Sequence, residues 1–172
     1  MNLEKLFVEY WSQITLLLLA IGYFIKRFFD TKSRKVEINH TLFQQNRISA
    51  VNNFYSSYAK AKLMWEQLAI YEILSREIDP KTIDAVVFPS LNDLNKNLLE
   101  IKIYFDEEET NYFDELVKGL MSINGKLHAL YYDTKPLSAR ADDFYSFRTK
   151  VSEANSGVLK KLNQIIRASY GS

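Results

Sequence analysis

An all-α chain is predicted: an N-terminal transmembrane helix followed by an antiparallel bundle of about four helices. Three observations predict it. Leu6–Ile25 is a nearly continuous apolar run. Downstream, apolar residues recur at steps of three and four, the spacing of one helix face. Glycine and proline number only five and three in 172 residues, and neither occurs between Gly22 and Pro80. A very long helix is therefore permitted there, with at most a local break near Asp30–Ser33.

The apolar run matches the ~20 helical residues that cross a bilayer core. Lys26, Arg27, Lys32, Arg34 and Lys35 follow it at once, and such a flank marks the cytoplasmic side. Tyr10 and Trp11 at one end, with Tyr23, Phe28 and Phe29 at the other, suit the two interfacial belts. A cleaved secretory signal fits less well: the charge lies on the wrong flank, and bulky Tyr23, Phe24 and Ile25 replace the small residues of a cleavage site. The expected layout is a short extracytoplasmic N-terminus at residues 1–5, a span at 6–25, a basic juxtamembrane segment at 26–35 and a cytoplasmic bundle at 36–172. The expected location is the inner (plasma) membrane, single-pass, with the bilayer and its anionic head groups as partners of the five cations. Within the span, Ser12, Gln13, Thr15 and Gly22 form a candidate helix–helix contact, because small and hydroxyl residues permit close approach.

The whole-chain averages hide this asymmetry. Hydrophobic residues make up 47% of the chain and net charge is +1, as in an ordinary globular domain. Beyond Lys35 acids slightly outnumber bases, so no basic surface is available to neutralise phosphates and no nucleic-acid partner is expected. The absence of cysteine excludes disulfides, thiolate metal sites and thiol catalysis. About 137 residues follow the basic segment, enough for one compact core.

The first bundle helix is read from Val51, Phe54, Tyr58, Ala61, Trp65 and Leu68. Asp79 followed by Pro80 reads as an N-cap with proline at the first helical position. Pro89 and Ser90, with Asp93 completing a capping-box pattern, predict a further helix start. Leu91, Leu94, Leu98, Ile101 and Phe105 continue the rhythm. Ile101, Ile103 and Phe105 also alternate like a strand, but no second alternating run exists to pair with them. Asp106 with Glu109 predicts another capped start, leading into Phe113, Leu116, Leu120, Ile123, Leu127 and Leu130. Pro136 interrupts, and a last helix presents Phe144, Phe147, Val151, Ala154, Val158, Leu162 and Ile165. Short connections between such helices make the bundle antiparallel.

Chemistry-bearing motifs are sparse. Glu37 and His40 have the E-x-x-H spacing, but a di-iron bundle needs two such motifs, and the only other histidine, His128, has Gly125 three residues before it. Glu107, Glu108 and Glu109 sit where a helix N-terminus favours carboxylates in any case. No glycine-rich phosphate loop is present, since Gly119, Gly125 and Gly157 stand alone. Asn39-His40-Thr41 fits a glycosylation acceptor that a cytoplasmic position would silence. No catalytic, metal-binding or cofactor-binding residue is assigned, and no cofactor is expected. The chain holds 11 tyrosines and 11 phenylalanines. Tyr55, Tyr58, Trp65 and Tyr71 give the first bundle helix an aromatic face, read either as core filling or as a surface for a protein partner.

Around Lys102-Ile103-Tyr104-Phe105-Asp106-Glu107-Glu108 the chain resembles small bacterial membrane proteins that pair one N-terminal span with a cytoplasmic helical domain. The resemblance implies an inner-membrane setting and brings no catalytic residues. The expected function is a non-enzymatic interaction protein that binds itself, as a homo-oligomer, or a protein partner. A membrane-perturbing effector of a toxic or defence system is the alternative, and an enzyme of unrecognised type comes third.

Overall fold

The computed structural model describes residues 10–170, and every regular element among them is helical. In chain order these are α1 (Trp11–Gln67), α2 (Ile70–Leu74), α3 (Pro80–Tyr104), α4 (Glu107–Tyr132) and α5 (Leu137–Tyr170). The chain divides into two compact units, Met1–Asn46 and Arg47–Ser172.

In the first unit α1 runs through Asp30–Ser33 without a break. Thr15, Thr31 and Thr41 each turn their hydroxyl onto the carbonyl four residues back, at 2.8, 2.7 and 2.9 Å. Such bonds satisfy the hydroxyl inside the helix at little cost. The expected break does not form because nothing at Asp30–Ser33 removes a backbone donor.

The expected membrane span is not supported. No helix among the described residues is long and apolar enough to cross a membrane. Residues 1–5, and Leu6–Glu9 of the expected span, lie outside the described residues. The apolar stretch of α1 then runs only from Trp11 to Ile25, and Ser12, Gln13 and Thr15 interrupt its start. Extending it forward takes in Lys26, Arg27 and Asp30. Among the described residues it falls short of the ~20 apolar residues a bilayer core demands. A single-pass inner-membrane location, with the N-terminus outside, is therefore corrected.

The second unit is a helical bundle. α4 packs most extensively on α5, α3 packs on α4, and the short α2 seats against both α4 and α5. The remainder of α1 supplies Val51, Phe54, Tyr58, Ala61 and Trp65 to the core, all buried. Phe54 meets Phe113 of α4 edge-on, with ring centroids 4.9 Å apart, and Phe113 tilts against Phe105 at 5.5 Å. Arg47 closes this aromatic stack, its guanidinium 4.2 Å from the Phe105 ring centre and 3.3 Å from both carboxylate oxygens of Glu109.

The caps follow the sequence with one exception. The Asp79 carboxylate accepts from the amides of Lys81 and Thr82 and from the Thr82 hydroxyl. The Thr82 bonds hold its pKa below the usual carboxylate value. Asp106 accepts from the Glu109 amide at 2.8 Å and opens α4. Pro89, expected to start a helix, lies inside α3 instead. An interior proline costs ~3 kcal/mol. The stripe of Ile83, Val87, Leu91, Leu94 and Leu98 continues across it, and burying each such side chain returns ~1.5–3 kcal/mol. Packing wins there. The strand-like Ile101–Phe105 is helical to Tyr104, with Ile101 buried and Ile103 exposed.

The last turn of α4 carries no basic residue of its own. Its carbonyls are met from elsewhere. Arg76, held at φ 68°, donates to Tyr131 O and Asp133 O at 3.2 and 3.3 Å. Buried Arg140 donates to Leu130 O at 3.2 Å. Positive charge at a helix C-terminus is favourable, and these bonds offset the cost of a left-handed arginine.

A closer junction joins α4 and α5. A Cβ added at Gly119 would lie 2.4 Å from the side-chain oxygen of Asn155, whereas one at Gly125 would meet nothing within 4 Å. Asn155 is 3% exposed and fixed by two hydrogen bonds, so it cannot swing aside cheaply. Gly119→Ala should therefore destabilise the bundle by ~1–3 kcal/mol. Gly125→Ala should stabilise it by ~0.5–1 kcal/mol through helix propensity. Urea unfolding midpoints test both, and the two shifts must have opposite signs.

Candidate interaction surfaces

Two surfaces could serve a partner or ligand, one in each unit. In the first unit the described apolar side chains of α1 are largely exposed. Leu16, Leu17, Leu18 and Leu19 are each more than 60% exposed, as are Phe24, Phe28 and Phe29. Four consecutive leucines, 100° apart, place apolar groups on every side of the helix. A helix that is apolar all round is normally buried, and an exposed patch of this kind marks an interaction surface.

Lys26, Arg27, Lys32, Arg34 and Lys35 are all exposed on the same helix. They form a cationic band that follows the apolar segment. Ser12, Gln13, Thr15 and Gly22 are exposed too, and Thr15 is bonded to Trp11 O. Nothing lies within 4 Å of a Cβ at Gly22. Glu37 and His40 are exposed on α1.

The second unit holds a cleft of about 270 Å³ between α1, α4 and α5. Its apolar lining is Tyr58, Trp65, Leu120, Ile123 and Val151, and its rim carries Lys62, Glu66, Arg148 and Glu153. The charges at the rim are already occupied in part. Arg148 donates to Trp65 O at 2.9 Å and lies over the Tyr145 ring, and Lys62 sits 3.9 Å from Glu66. The volume is slightly below that of a small-molecule site, ~300–1,000 Å³.

The aromatic face proposed for a partner divides. Tyr58 and Trp65 are 5% and 1% exposed and belong to the core. Tyr55 is half-buried, its hydroxyl bonded to Asn163 at 2.9 Å. Only Tyr71 is broadly exposed, and its ring lies beside Tyr145. These four residues fill and edge the core; they do not make one surface. The physical reason is spacing, since Tyr58 and Trp65 lie two helical turns apart on the face that meets α4 and α5.

Two polar pairs were not legible as pairs. His128 Nε2 lies 3.1 Å from Asp84 Oδ1, linking α3 to α4. Asn155 Nδ2 donates to the Tyr58 hydroxyl and to Leu116 O, at 3.1 and 3.2 Å. The sequence stripe of α5 counts Ala154 as inward, yet Ala154 is exposed and Asn155 is buried. A signal was available, because Val151, Asn155, Val158 and Leu162 keep the four-three-four rhythm. Among the described residues no group of three or more His, Asp or Glu could hold a metal ion.

No protein-family model, characterised protein or solved structure matches this chain.

Burial raises the Tyr58 phenol above its ordinary pKa, and the hydrogen bond from Asn155 opposes this in part. Burial also raises Tyr55. A raised folded-state value means stability is fully present below pH ~10 and is lost as pH rises through the folded pKa. The unfolding midpoint should therefore fall between about pH 9 and about pH 11. Tyr58→Phe should be less stable at neutral pH, having lost a buried bond worth ~1 kcal/mol. It should also lose less on alkaline titration than the parent chain.

Proposed function

We propose that this chain is a non-enzymatic helical interaction protein that binds a second copy of itself through the apolar segment of α1. The observation that carries the reading is the exposure of Leu16–Leu19, Ile21, Phe24, Phe28 and Phe29. Burying a Leu, Ile or Phe side chain stabilises by ~1.5–3 kcal/mol. Six of them give ~9–18 kcal/mol, against the ~4–15 kcal/mol that association costs. Over most of these ranges the gain exceeds the cost, which supports association of copies through this surface.

The polar groups of the second unit favour a structural role over catalysis. Arg148, Asn155 and Arg140 each hold a backbone carbonyl of another helix. His128 bridges two helices through Asp84. These side chains are engaged in holding the bundle together.

Sedimentation of the full chain should give a discrete multiple of 20.1 kDa. Replacing Leu17 and Phe24 together by glutamate should weaken association at least ~100-fold, because each carboxylate would be buried unpaired. Urea unfolding of the Arg47–Ser172 bundle should be unchanged in the same variant, since neither residue belongs to it. A parent chain that stays monomeric at ~100 μM, or one recovered as monomer on lipid vesicles, would overturn the reading.

A further inference from the structure

The orientation of the paired copies rests on the self-association reading. Tyr10, Leu17, Ile21, Phe24 and Phe28 recur at steps of seven, four, three and four, and all five are exposed. With Ile14 of the sequence falling between Tyr10 and Leu17, the spacing is that of a two-helix coiled-coil seam, about 3.5 residues per apolar position. The next positions of the same seam are Thr31 and Lys35. The apolar seam thus gives way to polar residues inside the basic band.

A parallel, in-register pair would set Lys35 directly against Lys35 of the other copy. It would also bring Arg27 beside Lys32 across the flank of the seam, since flanking positions five residues apart face each other in that geometry. Two bands of five cations, each relieved only by Asp30, would lie side by side. Like charges at such positions disfavour the pairing. An antiparallel pair avoids this. Centred near Leu19, it places Leu17 against Ile21 and Phe28 against Tyr10, so every apolar layer is kept. The two bands then lie at opposite ends. The sequence before Tyr10 holds Glu4, Lys5 and Glu9, with no cation excess of its own.

We infer that two copies of this chain pair through α1 in antiparallel orientation, centred near Leu19, with the charge of the 26–35 band selecting that orientation.

The chain has no cysteine, so introduced thiols report without background. In the full chain, Phe28→Cys and Tyr10→Cys are prepared separately and then mixed under mild oxidation. Antiparallel pairing predicts a 10–28 disulfide at least tenfold in excess of 28–28. It holds the two copies of residue 28 about 27 Å apart along the axis, at 1.5 Å per residue, well beyond the ~7 Å that a disulfide spans. Because Phe28→Cys could weaken the pair, a second measurement leaves the seam intact. Nitroxide labels on Ser33→Cys should lie ~42 Å apart in the antiparallel pair and under ~20 Å in a parallel one. A dominant 28–28 disulfide or a short Ser33 distance in a dimeric sample overturns the orientation while leaving self-association standing. A monomer in sedimentation overturns the self-association reading itself.

Discussion

Asn155 stands where α1, α4 and α5 meet, and the register of the bundle depends on it. A buried amide without partners costs ~1–3 kcal/mol, so α5 must sit where both acceptors are within reach. One is the Tyr58 hydroxyl on α1 and the other is Leu116 O on α4. A carbonyl inside a helix is normally hidden behind side chains. It is reachable here because Gly119, one turn further on, leaves room for the Asn155 amide. Sliding α5 by one turn would strand the amide against apolar neighbours. Apolar stripes alone tolerate such slips, since one leucine resembles another. The amide does not.

The same logic extends to both ends of the bundle. Arg47 shields the Phe54–Phe113–Phe105 stack while pairing with Glu109, whose own amide is held by the Asp106 cap. Cap, ion pair and aromatic stack are therefore one construction. At the far end of α4, Arg76 and Arg140 bind three carbonyls within four residues. Surface ion pairs such as Lys60–Asp93 contribute little beside these. The second unit is thus bounded by arginines that satisfy groups which α4 cannot satisfy from its own sequence.

Much of this was legible. Apolar spacing gave α4 and α5 nearly residue by residue, and Asp79 and Asp106 announced their caps. Pro89 misled because local backbone preference argues for a start, whereas five core residues on one stripe hold the helix through it. Asn155 is hidden from an apolar pattern by its polarity, although its position keeps the helical rhythm. Tyr58 and Trp65 were ambiguous for the opposite reason: aromatic residues suit both cores and interfaces, and only the positions of α4 and α5 decide between them. The Leu6–Ile25 run misled most. Its length and flanks together match a span over twenty residues, but among the described residues the apolar stretch of the helix is too short before Lys26 and Arg27 intervene.

What remains is an imbalance between the two units. The second buries a continuous apolar core and exposes Leu99, Ile103 and Tyr132 singly, while the first exposes seven large ones between Leu16 and Phe29 at more than 60%. A segment apolar on all sides carries little information about register, since neighbouring alignments bury similar area. The cationic band supplies what the leucines lack. Any slip that draws the apolar segments out of alignment carries a lysine or arginine onto the partner's leucines, where an unpaired charge is costly. A parallel alignment stacks the bands themselves. Hydrophobic area supplies the affinity of such a pair, and the charges beside it select one arrangement among the alternatives.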